Sequence, residues 1–251
     1  MTHESIFYSS KTSSVFKNKN IAFILTSRHQ GTSLYPYESL NLAYHVGDDK
    51  SHVDKNRKII QNIFCQDKEF LWMEQTHSDI ILDVDKKHYK DGFIGIGDAM
   101  ICNDKDRACM IMVADCNPIL IYDPNIESFA LIHAGRKGLM NSIIPKTIHK
   151  MIASYGGKPE NMMVFVGASI RKCCYEINKE LAQSFKKSYI NENDSKFKLD
   201  MIKWIQDQLF KCHIQRENIQ ILPTCSCCET NLFSYRRDCI TGRFGLLVKL
   251  L

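Results

Sequence analysis

No stretch of this chain is apolar for long enough to cross a membrane; its longest apolar runs have the length of strands, well short of the roughly 18 residues a spanning helix needs. The opening residues Met1-Thr2-His3-Glu4-Ser5 carry no basic region followed by a long apolar segment, so no secretory leader is read there and a cytoplasmic location is expected. Basic residues are spread rather than massed, and the formal net charge of +5 is mild. Nucleic acid is therefore not an expected partner, although such a field suits a substrate bearing phosphate. Gly92, Gly95 and Gly97 form neither of the common phosphate-binding loops, and there is no Gly-x-Ser-x-Gly serine motif. Dinucleotide, ATP and serine-hydrolase chemistry lose their support. No linker, repeat or low-complexity tract divides the chain, so residues 1–251 read as one domain with 1–20 at its periphery.

Cysteine is what the chain has in excess. There are eleven, an odd number in a protein large enough to bury a sizeable core, and both facts favour reduced thiols. Cys225-Ser226-Cys227-Cys228 has the look of metal chemistry, but a closed zinc site needs a second ligand pair, and only Cys239 follows it. Cys173-Cys174, adjacent in sequence, is awkward for chelating one ion. These cysteines are read as structural thiols.

Apolar patterning predicts strands at Ile21–Thr26, Phe70–Glu74, Ile80–Val84, Ala108–Ala114, Ile119–Tyr122, Phe129–His133, Met162–Val166, Ile219–Leu222 and Phe244–Leu250. Helices are expected from a Ser51 cap through Phe64, over Gly138–Tyr155 with Pro145 bending it or delaying its start, and over Asn178–Tyr189 and Leu199–His213. Ser27–Ser39 and the glycines at 92–97 read as loops. Strands in clusters as well as singly between helices argue for an α+β layered fold with a mixed sheet, not a doubly wound one.

His77, Cys116 and His133 each stand where an apolar strand gives way to a turn, a place where catalytic groups are often presented. Taken singly, each is explained as a small buried thiol or a hydrogen-bonded imidazole. Together they offer a thiolate and two imidazoles with a coordination position left open, as in a catalytic zinc site, or else a nucleophile and its base. Asp115 and Asp98 are each candidates to orient a ligand histidine or to cap a turn. Arg28, Arg57 and Arg236-Arg237 are candidate anion clamps. For Arg57, between Lys55 and Lys58, composition alone favours a solvated face.

Ser27-Arg28-His29-Gln30-Gly31-Thr32-Ser33, Ser39-Leu40-Asn41-Leu42, Val46-Gly47-Asp48, Asn56-Arg57, Glu74-Gln75-Thr76-His77, Asp98-Ala99, Ala114-Asp115-Cys116-Asn117-Pro118, His133-Ala134-Gly135 and Phe233-Ser234-Tyr235-Arg236-Arg237-Asp238 follow one another in the order of a known family. The chain resembles the laccase-domain family, described first as multicopper polyphenol oxidases and then as purine nucleoside phosphorylases. The resemblance implies a single-domain α/β/β/α sandwich, similar to cysteine hydrolases. It implies zinc on His77, Cys116 and His133, with phosphorolysis of adenosine, inosine and methylthioadenosine, and adenosine deamination as a second activity. A bacterial branch is also described as a peptidoglycan editing factor acting on a cell-wall precursor. The family's His-Ala-Gly-Trp-Arg-Gly is here His133-Ala134-Gly135-Arg136-Lys137-Gly138, so a bulky aromatic is lost and a basic residue shifts. Gln30 replaces a second glycine, and the Phe233-Ser234-Tyr235 segment is one aromatic shorter.

The functional expectation is thus a zinc-dependent purine nucleoside phosphorylase using purine nucleosides and inorganic phosphate. His77, Cys116 and His133 are its metal ligands, and Arg57 is the first choice to orient phosphate. The alternative is a metal-free cysteine amidase with Cys116 as nucleophile and His133 as base. A multicopper centre is disfavoured because the nine histidines include no His-x-His pair.

Overall fold

The computed structural model describes residues 4–66, 68–84, 89–193 and 195–251. In chain order the strands begin with Ile6–Ser9 (β1), Ile21–Thr26 (β2), Glu69–Glu74 (β3), Ile81–Asp83 (β4), Phe93–Ile96 (β5), Ala99–Cys102 (β6) and Arg107–Val113 (β7). They continue with Asn117–Asp123 (β8), Ser128–Ala134 (β9), Met163–Val166 (β10), Glu176–Ile177 (β11), Ile190–Asn193 (β12), Lys196–Leu199 (β13), Ile219–Ile221 (β14) and Phe244–Leu250 (β15). The α-helices are Lys50–Ile60 (α1), Arg136–Met140 (α2), Ile143–Tyr155 (α3), Lys179–Gln183 (α4), Met201–Lys211 (α5) and Tyr235–Asp238 (α6).

Two six-stranded sheets carry the fold, ordered β1-β2-β15-β7-β3-β5 and β14-β10-β8-β9-β6-β4, beside a small sheet of β11, β13 and β12. Both large sheets are mixed: β3 runs parallel to β7 and β5, β10 parallel to β14, and β4 parallel to β6, against otherwise antiparallel pairs. Side-chain alternation sorts the core into three seams. Along β7, Cys109, Ile111 and Val113 meet Leu120, Tyr122, Leu131 and Phe165 of the second sheet. Ala108, Met110 and Met112 face the other way, toward Ile60 of α1. Ile119, Ile121 and Ile132 of the second sheet pack on Ile144, Ile148, Ile205 and Leu209 of α3 and α5. The layers are helix, sheet, sheet, helix, in one domain. Because both faces of each sheet are covered, β7, β8, β9 and β15 are buried along their whole length and are mostly apolar.

Several expected elements differ. The helix foreseen over Gly138–Tyr155 is two helices, α2 and α3, broken where Ser142 takes a left-handed φ of 60°. Pro145 causes no bend, because it lies in the first turn of α3, where N–H groups have no intrahelical partner anyway. Helix α1 is capped by Asp49, whose carboxylate accepts from the Ser51 amide at 2.7 Å, and not by Ser51. The long helix over Asn178–Tyr189 shrinks to α4. Tyr189 is instead drawn into the core on Trp204, with its hydroxyl donating to Asp207 at 2.9 Å. Phe93–Ile96, assigned to a loop because of Gly95, is the edge strand β5, and Ala99–Cys102 forms the unforeseen β6. The segment before Ile21 supplies the edge strand β1 and the buried Phe16.

Phe165 joins these pieces. Its ring lies 4.4 Å from that of Phe23 and 5.5 Å from that of Tyr8 in β1, between the two sheets. Phe165→Ala is expected to cost about 3–5 kcal/mol of unfolding free energy, measured by denaturant titration; a loss under about 1 kcal/mol would mean that the seam between the sheets does not hold them together.

Candidate metal centre and its cavity

The two sheets meet at a buried carboxylate. Asp98, just before β6, accepts from the Thr76 amide (3.2 Å), the His77 amide (3.0 Å), and the Ser78 amide and hydroxyl (2.5 and 2.6 Å). It also bonds His133 Nδ1 at 2.7 Å, and its main-chain carbonyl takes the His133 amide at 2.8 Å. The turn after β3, on which His77 sits with a φ of 61°, is thus fastened to β9 of the other sheet. Gln75 secures the same turn to β7 through both its amide atoms, 2.7 and 2.8 Å from the Met112 carbonyl and amide.

Cys116 enters from the turn between β7 and β8. Its Sγ lies 3.6 Å from His77 Nε2, and the His77 and His133 rings meet edge to face at 4.8 Å between centroids. The ligand atoms of His77, Cys116 and His133 all lie within 4.8 Å of one another. Gly135 makes room for them: a Cβ there would stand 2.9 Å from both Cys116 Sγ and His77 Cδ2, closer than any real side-chain carbon sits.

Electrostatics favour a thiolate here. Burial pushes the Cys116 thiol up, but the His133 charge and hydrogen bonds from both imidazoles outweigh it and bring it down to about 6. Burial would equally lower His133; the Cys116 charge and the Asp98 hydrogen bond raise it to about 9. Asp98 resists its own burial through the hydrogen bonds from His133 and Ser78, which hold it at about 2.

Asp115 does not orient a histidine. With a φ of 88° it turns away, accepting from Ser226 Oγ (2.6 Å), Ser234 Oγ (2.7 Å) and the Arg236 amide (2.6 Å). The residue Asp98, equally ambiguous in sequence, is the one that holds His133.

The three residues line one cavity of about 330 Å³, with Tyr175, Tyr235 and three arginines, Arg136, Arg236 and Arg243, on its walls. Arg57 is not among its lining residues, and it is not on a solvated face either. It is buried, with its guanidinium between the Tyr44 and Trp72 rings at 4.0 and 4.2 Å and Nε donating to the Leu42 carbonyl at 2.8 Å. Arg28 lies over the Phe233 ring at 4.8 Å and likewise stands outside the cavity. Arg243 had no signal in the sequence beyond standing before the last strand. Its amide donates to Asn41 at 2.9 Å, and Asn41 is one of a buried pair, with Asn56, that stitches residues 32–43 together. Among the described residues Arg243 has no carboxylate partner, and burial lowers its pKa.

Two outcomes follow. Asp98 has its pKa depressed, so its contribution to stability is present above the ordinary carboxylate value of 3.8 and is lost as pH falls through that value to about 2. Asp98→Asn should therefore destabilise the protein by about 2 kcal/mol at pH 7, with the difference closing over that acid window in urea titrations. Metal-free protein should be alkylated by iodoacetamide at Cys116 with a pH midpoint of about 6. A midpoint at the usual thiol value would dissolve the thiolate–imidazolium pair.

Comparison with known proteins agrees with this architecture. The family model described as multi-copper polyphenol oxidoreductase laccase matches residues 22–251. A purine nucleoside phosphorylase of Corynebacterium glutamicum is 32% identical over 232 residues, covering 90% of this chain and 93% of the relative. The purine nucleoside phosphorylase YfiH of Escherichia coli is 29% identical over 243 residues, covering 93% and 95%. The crystal structure of the Bacillus licheniformis hypothetical protein YfiH superposes with a TM-score of 0.84 at 25% identity, covering 92% and 93%.

Proposed function

This chain belongs to the multi-copper polyphenol oxidoreductase laccase family, and from that premise we propose that it is a zinc-dependent purine nucleoside phosphorylase. Its substrates are inosine, adenosine or methylthioadenosine together with inorganic phosphate, and adenosine deamination is a second activity. The observation that carries the reading is the single cavity on which His77, Cys116 and His133 converge with Arg136, Arg236 and Arg243. The relatives' names supply the reaction class.

The donor set fits the metal. Two imidazole nitrogens and one thiolate, with a position left open, are ligands zinc accepts in catalytic sites. When bound, the ion supplies Lewis acidity to the reacting centre. The remaining work falls to the protein. A phosphate oxygen bonds to the anomeric carbon as the bond from that carbon to the purine nitrogen breaks, and its electron pair leaves with the base. Guanidinium groups of Arg243 and Arg136 hold the phosphate, since planar forks of donors match its oxygens. Tyr175 and Tyr235 offer ring surfaces to the purine and the ribose. A cavity of about 330 Å³ suits a nucleoside better than a polymer. Asp98 keeps His133 in one orientation throughout. A cytoplasmic location accords with this substrate and with free thiols.

With inosine as substrate, hypoxanthine release should depend on inorganic phosphate, and ribose 1-phosphate should appear in equal amount. Arg243→Ala should raise the KM for phosphate by roughly 10- to 100-fold, the loss of one or two charge-assisted hydrogen bonds, and leave the metal content unchanged. Equal base release without phosphate would make the enzyme a hydrolase and remove the role given to Arg243.

One observation favours a second reading. Asp98, His133 and Cys116 stand in the order of an orienting carboxylate, a base and a thiolate nucleophile. This is the arrangement of a cysteine amidase, such as one editing a peptidoglycan precursor. Such an enzyme would keep its activity after metal removal and form a thioester on Cys116.

A further inference from the structure

Cys173 and Cys174 lie in one turn, Cys225 and Cys228 in another, and the sequence separates the two pairs by some fifty residues. The fold brings them together. The ligand sulfurs of Cys173, Cys174, Cys225 and Cys228 all lie within 4.8 Å of one another, with Cys228 Sγ 3.9 Å from Cys173 Sγ and 3.3 Å from Cys174 Sγ. All four are free thiols. Four sulfurs placed tetrahedrally at about 2.3 Å from one ion would be about 3.8 Å apart, the middle of the observed spread. The second ligand pair that Cys225-x-x-Cys228 lacks in sequence is therefore present in space, supplied by the adjacent pair that looked unsuited to chelation.

We propose that Cys173, Cys174, Cys225 and Cys228 form a closed structural zinc site, separate from the centre at His77, Cys116 and His133. An all-sulfur tetrahedral set selects a soft-binding divalent ion, and four protein ligands leave no position for a substrate. The surroundings suit it. The Arg171 amide donates to Cys225 Sγ at 3.4 Å, as main-chain N–H groups do toward metal-bound sulfur. Four thiolates on a divalent ion carry net negative charge, and basic side chains are bonded to main-chain carbonyls in and beside the same turns. Lys198 Nζ donates to the Cys173 carbonyl at 2.9 Å, Arg237 donates to the Cys227 carbonyl at 3.3 Å, and Arg236 reaches the Glu176 carbonyl at 2.9 Å.

The site's position gives it a purpose. The first turn leads into Tyr175 and the second into Tyr235 and Arg236, all on the cavity wall. The two turns touch through one main-chain bridge, in which the Ser226 amide donates to the Ser169 carbonyl at 3.0 Å. An ion shared by both turns fixes the distance between those walls.

The test uses the full chain carrying Cys116→Ala, which removes a ligand of the other centre. Elemental analysis of this protein, purified under reducing conditions with zinc present, should find about one zinc per chain, and Cys173→Ser with Cys228→Ser should abolish it. Replacing zinc with cobalt(II) in the Cys116→Ala protein should give the intense visible bands of a tetrahedral all-thiolate site. The cobalt spectrum needs no change at the four cysteines, so it decides the matter even if the serine variant fails to fold. No bound zinc and no such cobalt bands in a folded Cys116→Ala protein would overturn the proposal. So would a disulfide between the two turns in protein isolated with alkylation, which would make the cluster a redox pair. None of these readouts involves nucleoside turnover, so the failure of either reading leaves the other standing.

Discussion

Everything at the candidate centre depends on one buried carboxylate that serves both sheets. Asp98 takes three amides and a hydroxyl from the turn that follows β3 of the first sheet, and it holds the imbedded ring of His133 on β9 of the second. A charge placed out of water is tolerated only when its lone pairs are filled, and here the filling groups belong to opposite layers. The carboxylate ties the two layers together at the place where His77, Cys116 and His133 converge.

How much of this was legible in the sequence depends on what each residue's signal was. The long central strands β7, β8, β9 and β15 were readable because, buried on both faces, they are mostly apolar. Short edge strands were not. β5 contains Gly95 and reads as a loop, and its strand character comes from pairing with β3, whose Trp72 lies opposite Phe93. Helix breaks driven by tertiary demand, as at Ser142 and around Tyr189, have no local signature strong enough to outweigh a helical pattern.

At the site, the convergence of His77, Cys116 and His133 could be anticipated because each lies at or soon after the end of an apolar run of strand type. The arginines could not be assigned in this way. Arg57 sits among lysines on a helix, yet the aromatic rings of Tyr44 and Trp72 enclose it, whereas Arg243, just before the last strand, lines the cavity with its amide donating to Asn41 and its guanidinium to the Thr241 and Gly242 carbonyls. The motifs around Ser33, Asn41 and Asn56 turn out to be scaffolding: their buried amides satisfy the main chain of a long loop that forms the wall behind Arg243. Arg136 stands on the cavity wall where the family pattern has an aromatic residue, so the change in sequence is a change in the charge a substrate meets.

The placement of β15 has an outcome in time as well as in space. It is the last strand in the sequence and lies between β2 and β7, near the middle of its sheet, not at the edge. As the chain emerges from the ribosome, β2 and β7 wait with unpaired edges separated by a gap only β15 can fill. Closing that gap joins residues more than 200 positions apart, a contact of the slow, non-local kind. Arg243 arrives with the same strand. Until that strand is in place the cavity lacks one of its arginines, and the open edges of β2 and β7 are sheet edges of the kind that invite aggregation.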